Sequence, residues 1–235
     1  MKTIIDRADT RGHANHGWLD TYHTFSFAGY HNPARMGFGA LRVLNDDKVA
    51  PGKGFDTHPH DNMEIVSIPL KGSLKHGDST NNQRVITIGD IQVMSAGTGI
   101  MHSERNNSST EPVEFLQIWV FPKYRDTKPG YQDYSIRDLV KKNELSLIIS
   151  PDDEVPATLG QDTWFSIGNL DKGTEITYRL HGESNGVYIF VIEGEIDAGG
   201  TILERRDGMG VYETPSITLK ALTGCEVLLM EVPMR

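Results

Sequence analysis

The chain has 235 residues, 37% hydrophobic and 23% charged, with a formal net charge of −9. That is the composition of a folded globular chain long enough to bury a sizeable core, not of a disordered or collagen-like one. An acidic balance without a Lys/Arg block argues against direct contact with nucleic-acid phosphates. Cys225 is the single cysteine, so neither an intrachain disulfide nor a cysteine-built zinc motif can form. The N-terminal stretch lacks a signal-peptide apolar core, and no run of about 18 apolar residues occurs, so the sequence predicts a soluble, cytoplasmic, monomeric protein with no membrane span.

Short apolar runs punctuated by Gly, Pro, Asn and Asp follow one another along the chain: "GALRVLND", "MEIVSIPLKG", "QRVITIGDIQVMSAG" and "VEFLQIWVFP". They are rich in β-branched and aromatic residues and predict many short antiparallel strands closing into a sandwich or barrel. The stretch 128–146 departs from this pattern. There "YSIRDLVKKN" predicts a short connecting helix with Ser135 as N-cap. Strand-like runs then resume in "LSLIIS", "TWFSIGNL", "TEITYRL", "GVYIFVIEGEID" and "CEVLLMEVP". Each half has an apolar strand running into glycine, "IVSIPLKGSL" and "IFVIEGEID", a weak internal repeat. The expectation is an all-β fold of two tandem antiparallel barrels. Residues 1–130 would form the first, and 131–235 the connector and the second.

Chemistry concentrates in "THPHDNMEIVSIPLKG" and "SAGTGIMHSERN". Alternate strand residues share a face, so an unbroken strand would put His58, His60, Asn62 and Glu64 on one side. His102 and Glu104 pair in the same way. If the two strands meet inside a barrel, three imidazoles and one or two carboxylates converge. Such a nitrogen and carboxylate set without thiolates suits Fe, Mn, Ni or Zn better than Ca or Mg. By spacing alone, either Glu64 or Glu104 completes it.

"HPHDNMEIVSIPLKG", with Gly52 leading, resembles the first cupin motif, although Glu64 and Gly72 lie one residue further apart than usual. "GDIQVMSAGTGIMHSERN", with Gly89 leading, resembles the second without its proline. These departures, together with "RGHANHGWLDTYHTFSFAGY", "FDTHPHDNMEIV" and "LQIWV", resemble the pirin branch of the cupins, over about residues 9–122. The resemblance implies a bicupin with one divalent transition metal, Fe(II) first and Zn, Ni, Mn or Cu as alternatives. Its ligands would be His58, His60, His102 and Glu104, with Glu104 also the catalytic base. It further implies cleavage of a flavonol such as quercetin by dioxygen. The alternative implied role is a metal- or redox-sensing regulator that binds a protein partner. Glu64 is then assigned beside the ligands, orienting an imidazole or walling the pocket, and Phe25, Phe27 and Phe55 are candidate pocket aromatics. Metal binding is expected to weaken as free histidines protonate near ~6.5. His13, His16 and His23 are read as structural or exposed, Cys225 as a small buried hydrophobe, and "SAGTG" as a turn rather than a phosphate loop. The second half holds only His181 and no paired-histidine motif, so no metal is expected there.

Overall fold

The computed structural model describes residues 1–152 and 154–234. Its strands form four sheets, two to each barrel, and the large sheet of each barrel packs against the other's. In the first barrel, seven strands lie in the order Gly130–Ser135, Asp90–Ser95, Glu64–Lys71, Val113–Val120, Leu41–Val49, Leu19–His23 and Gly12–Asn15. They face a four-stranded sheet of Gly54–His60, Ile100–Asn106, Ser73–Asp78 and Gln83–Thr87. The second barrel repeats the plan. Its six-stranded sheet runs Lys2–Asp6, Gly208–Tyr212, Asn185–Glu193, Cys225–Pro233, Trp164–Leu170 and Leu145–Ile149. Its four-stranded sheet is Glu175–Arg179, Ser216–Ala221, Ile196–Ala198 and Thr201–Leu203.

Burial explains which strands read as unbroken apolar runs. In Val113–Val120, Leu116, Ile118 and Val120 enter the core between the barrels, while Val113, Phe115, Gln117 and Trp119 point into the first barrel. In Asn185–Glu193, Tyr188, Phe190 and Ile192 enter the same shared core, and Val187, Ile189 and Val191 fill the second barrel. A sheet covered on both faces loses polar alternation. The small sheets are covered on one face, and Ile100–Asn106 alternates buried with less buried residues along its length.

The repeat seen in sequence has a physical basis. Gly72 (φ +75°) and Gly194 (φ +84°) each follow a large-sheet strand and send the chain into the small sheet. A Cβ at Gly72 would lie 2.9 Å from the Pro112 carbonyl oxygen, and one at Gly194 2.4 Å from that of Gly224. Left-handed backbone and close approach together select glycine at both corners.

The expected connecting helix is absent. Gly130–Ser135 pairs with Asp90–Ser95 as an edge strand, and Ser135 is its last residue rather than an N-cap. Beyond it, one turn forms, with the Leu139 and Val140 N–H groups donating to the Ile136 carbonyl. Ile136, Leu139 and Val140 do share a face, packed on the inter-barrel core. The apolar pattern covers only that turn, too short to offset helix nucleation, and Asn143 turns out at φ +60°. Sheet membership also crosses the expected division at residue 130. Lys2–Asp6 joins the second barrel and Gly130–Ser135 the first. Asp6 fixes the exchanged N-terminal strand by accepting from Tyr188 Oη (2.8 Å) and pairing with Arg35 (3.0 Å).

Candidate metal centre

The site lies inside the first barrel, between two apolar clusters. One contains Leu74, Val113 and Phe115, and the other Ile65, Met94 and Ile100. His58 and His102 are direct cross-strand partners. Between that pair and the next, Glu104 with Phe55, the strand Gly54–His60 carries an extra residue at Asp56–Thr57. Such a bulge re-aims side chains. Here it brings the Asp56 carbonyl to 2.7 Å from His58 Nδ1. A carbonyl only accepts, so Nδ1 carries the proton and Nε2 is bare.

That bare Nε2 lies 3.0 Å from His102 Nε2. One nitrogen from each of His58, His60 and His102 lies within 4.8 Å of the others. Burial and neighbouring imidazoles lower His60 to a pKa of about 4 and His102 to about 2, so both rings are neutral at physiological pH. His102 Nδ1 is buried without a hydrogen-bond partner. Whichever tautomer His102 takes, the metal-free protein leaves one of its polar atoms unsatisfied or sets two lone pairs against each other. A cation between the rings removes that conflict, so the donor set fits a divalent metal.

Glu104 is buried, 2% exposed. It accepts from Ser67 Oγ (2.9 Å) and Gln117 Nε2 (2.6 Å), and burial outweighs these bonds to push its carboxyl up to about 7. Its carboxylate lies within 4.8 Å of a His102 nitrogen and of His76, one strand further on. A cavity of about 250 Å³ opens beside the cluster, walled by Phe27, Phe55 and Trp119 and, from the facing sheet, by Asn45, Asp47 and Gln117. Asp47, completely enclosed, also rises to about 7, chiefly through burial and then through the nearby Glu104 carboxylate.

Family models match residues 5–120 as Pirin and residues 147–232 as the quercetinase C-terminal cupin domain. A protein of Escherichia coli K12 named quercetin 2,3-dioxygenase is 41% identical over 230 residues, 97% of this chain and 98% of that one. The chain belongs to the pirin family. The crystal structure of YhhW from E. coli superposes on this pirin with a TM-score of 0.94 at 39% identity, covering 99% of this chain and 98% of that one. A second crystal structure, bacterial pirin YhhW in complex with nickel(II), gives 0.93 at 38% identity with 99% of each chain covered.

In this pirin His58, His60, His102, Glu104, Phe27 and Phe55 all border one cavity. Two expected neighbours do not. Glu64 leaves the site because Asp61–Met63 is not strand and Asn62 sits at φ +47°. The break reverses the side-chain alternation. Glu64 instead accepts from Ser95 Oγ (2.5 Å) and the Gly160 N–H (3.0 Å), and bonds to none of the three imidazoles. Phe25 packs in the inter-barrel core, 5.4 Å from the Tyr188 ring. His13 pairs with Asp20 at 2.6 Å, and His23 is buried against Asn45 at 2.9 Å. Sequence reading missed His76, whose His-x-Asp spacing with Asp78 is the signal that marks it. It also missed Asn45, Asp47, Gln117 and Trp119, which sit in strands with no motif of their own.

Proposed function

We propose that this pirin is a metal-dependent oxidoreductase that cleaves flavonols such as quercetin with dioxygen, its cation held by His58, His60, His102 and Glu104. The observation that carries the reading is the convergence of three imidazoles, one with its bare nitrogen identified by geometry, beside an aromatic-walled cavity. The names of the E. coli and other relatives support it. Fe(II) is the cation proposed first, since imidazole and carboxylate donors with open positions suit a metal that works with dioxygen. When bound, the metal supplies a chelating Lewis acid for the adjacent hydroxyl and keto oxygens of a flavonol, lowering the hydroxyl pKa.

The residues supply the rest. Phe27, Phe55 and Trp119 receive the flat rings and keep water from the reacting end. Glu104, the carboxylate nearest the cluster, would accept the hydroxyl proton as it releases or shares its bond to the cation. Gln117 and Ser67 hold the carboxylate in place as it changes charge.

The test is oxygen uptake by anaerobically purified, Fe(II)-loaded protein offered a panel of flavonols, with metal content measured on the same samples. Uptake matched to flavonol loss, and abolished in His58→Ala and His102→Ala, is expected. No uptake with any flavonol, or uptake indifferent to His102→Ala, overturns the proposal.

A further inference from the structure

Behind the three converging imidazoles sits a fourth histidine with no evident purpose. His76 lies on Ser73–Asp78, the strand next to Ile100–Asn106, and is cross-strand partner to Glu104. It is 1% exposed, and both its side chain and that of Asp78 are fully enclosed. Nε2 is 3.1 Å from Asp78 Oδ2. Asp78 accepts on its other side from the Thr80 and Asn82 backbone N–H groups and from Asn82 Nδ2, the bonding of a carboxylate acceptor. His76 therefore carries its proton on Nε2 and presents a bare Nδ1.

That Nδ1 is buried and has no partner, and neither has His102 Nδ1. The two rings lie 5.4 Å apart, centroid to centroid. A nitrogen of each ring lies within 4.8 Å of one of the other, and the pair closes to hydrogen-bond distance if the rings reorient as a cation takes His102 Nε2. Tyr131 stacks on the other face of the nest at 4.6 Å and 27°, fixing the His76 ring. Once His102 gives Nε2 to a cation, its proton must sit on Nδ1, where it needs an acceptor. A bare, enclosed imidazole nitrogen with its tautomer already set is the available one.

We propose that Asp78 and His76 form a relay that accepts the Nδ1 proton of His102, and that His76 is a positioning residue orienting this ligand for the metal. The inference rests on the reading of His58, His60 and His102 as metal ligands. Ligand imidazoles commonly donate their second nitrogen to a carboxylate, carbonyl or water, and loss of that partner costs about 10–100-fold in affinity. Here the acceptor would be a second imidazole, oriented in its turn by the carboxylate.

The test uses the full chain and Zn(II), which is diamagnetic. Nitrogen NMR of ¹⁵N-histidine-labelled, Zn(II)-loaded wild type should show His76 protonated at Nε2 and bare at Nδ1, with His102 protonated at Nδ1. Competitive titration should find Zn(II) bound at least about tenfold more weakly by His76→Phe, which keeps the stacking but has no acceptor. His76→Asn puts an amide acceptor near the position of Nδ1 and should return affinity to within about threefold of wild type. A His76 protonated at Nδ1, wild-type affinity in folded His76→Phe, or equal loss in both variants overturns the relay. If neither variant folds, the NMR measurement decides alone. Wild type that binds no Zn(II) overturns the metal reading itself, and a bound Zn(II) with unchanged variants overturns only the relay.

Discussion

Replacing Glu104 by Gln should stabilise the metal-free protein at alkaline pH while weakening its hold on metal. In the folded chain the carboxyl ionises near 7 against an ordinary 4.5, because burial outweighs the bonds from Ser67 and Gln117. A folded-state pKa raised in this way means that the fold prefers the protonated form. Its contribution to stability is fully present below about 4.5 and is lost as pH rises through about 7. The gap between the two values is worth on the order of 3 kcal/mol. At pH 8 metal-free wild type has lost that contribution, whereas the neutral amide of Gln has nothing to lose.

The substitution has its own cost. The new amide nitrogen faces donors, Gln117 Nε2 or Ser67 Oγ, and one contact must rearrange for about 1 kcal/mol. The net expectation at pH 8 is a gain of about 2 kcal/mol, or roughly 4–8 °C in Tm for a chain of this size. At pH 5, half a unit above 4.5, the advantage shrinks to about 1 kcal/mol and is offset by the rearrangement cost. Thermal and urea unfolding of chelator-treated samples between pH 5 and 8 measures both. A variant less stable than wild type at pH 8, or a difference that does not change with pH, would refute the electrostatic account of Glu104.

Histidine protonation should govern metal binding less than free imidazole suggests, since His60 and His102 are lowered to about 4 and about 2. Between pH 7 and 5 the loss of affinity should follow Glu104, and calorimetry should find it flattened in Glu104→Gln. Elemental analysis should give one tightly held ion per chain, because among the described residues both clusters of possible ligands lie in the first barrel; two such ions would contradict this. Glu64→Ala should keep its metal and lose about 1–3 kcal/mol in urea, as the Gly160 N–H and Ser95 hydroxyl lose their acceptor; metal loss would return Glu64 to the site. Glu231→Ala should cost about 1–3 kcal/mol without changing metal content per folded chain. That fully buried carboxylate accepts from Tyr178, His181, Gly182 and Asn185, and a cost below 1 kcal/mol would show those bonds to be idle.

The barrels and the histidine cluster were legible because each rests on a local pattern. Apolar runs ending in glycine mark where a large sheet hands the chain to a small one, as Gly72 and Gly194 do. The pairs His58/His60 and His102/Glu104 sit within single strands, so alternation places them correctly. The same rule failed for Glu64, because it holds only while the strand is unbroken, and left-handed Asn62 intervenes. Phe25 and Phe27, also two apart, diverge for the same reason: the chain there is irregular, and one ring goes to the inter-barrel core and the other to the cavity. Asn45, Asp47 and Gln117 could not be singled out, since their meeting with Glu104 depends on which strands become neighbours across the barrel.

The two barrels share a plan but use their interiors differently, and the shared core lets them do so. In the second, the inward positions of Asn185–Glu193 and Cys225–Pro233 are mostly apolar, Val187, Ile189, Val191, Cys225, Val227 and Leu229, with the buried polar pair Asn185 and Glu231 at one end, bonded to each other and to Tyr178 and His181. The corresponding interior of the first contains Ser67, Gln117, Asn45, Asp47, Glu104 and the histidines, where two carboxyls are strained upward in pKa and two histidine nitrogens lack partners. Every such group gives up apolar burial worth about 25 cal/mol per Å² and adds a desolvation cost. The first barrel's large sheet recovers stability on its other face, where Val66, Leu116, Ile118 and Val120 pack against Phe165, Phe190, Leu228 and Met230 of the second. A site so poorly satisfied without a cation is thus supported by a neighbour that, among the described residues, forms no cluster of possible metal ligands. The exchange of Lys2–Asp6 and Gly130–Ser135 between the barrels ties the metal centre to that support.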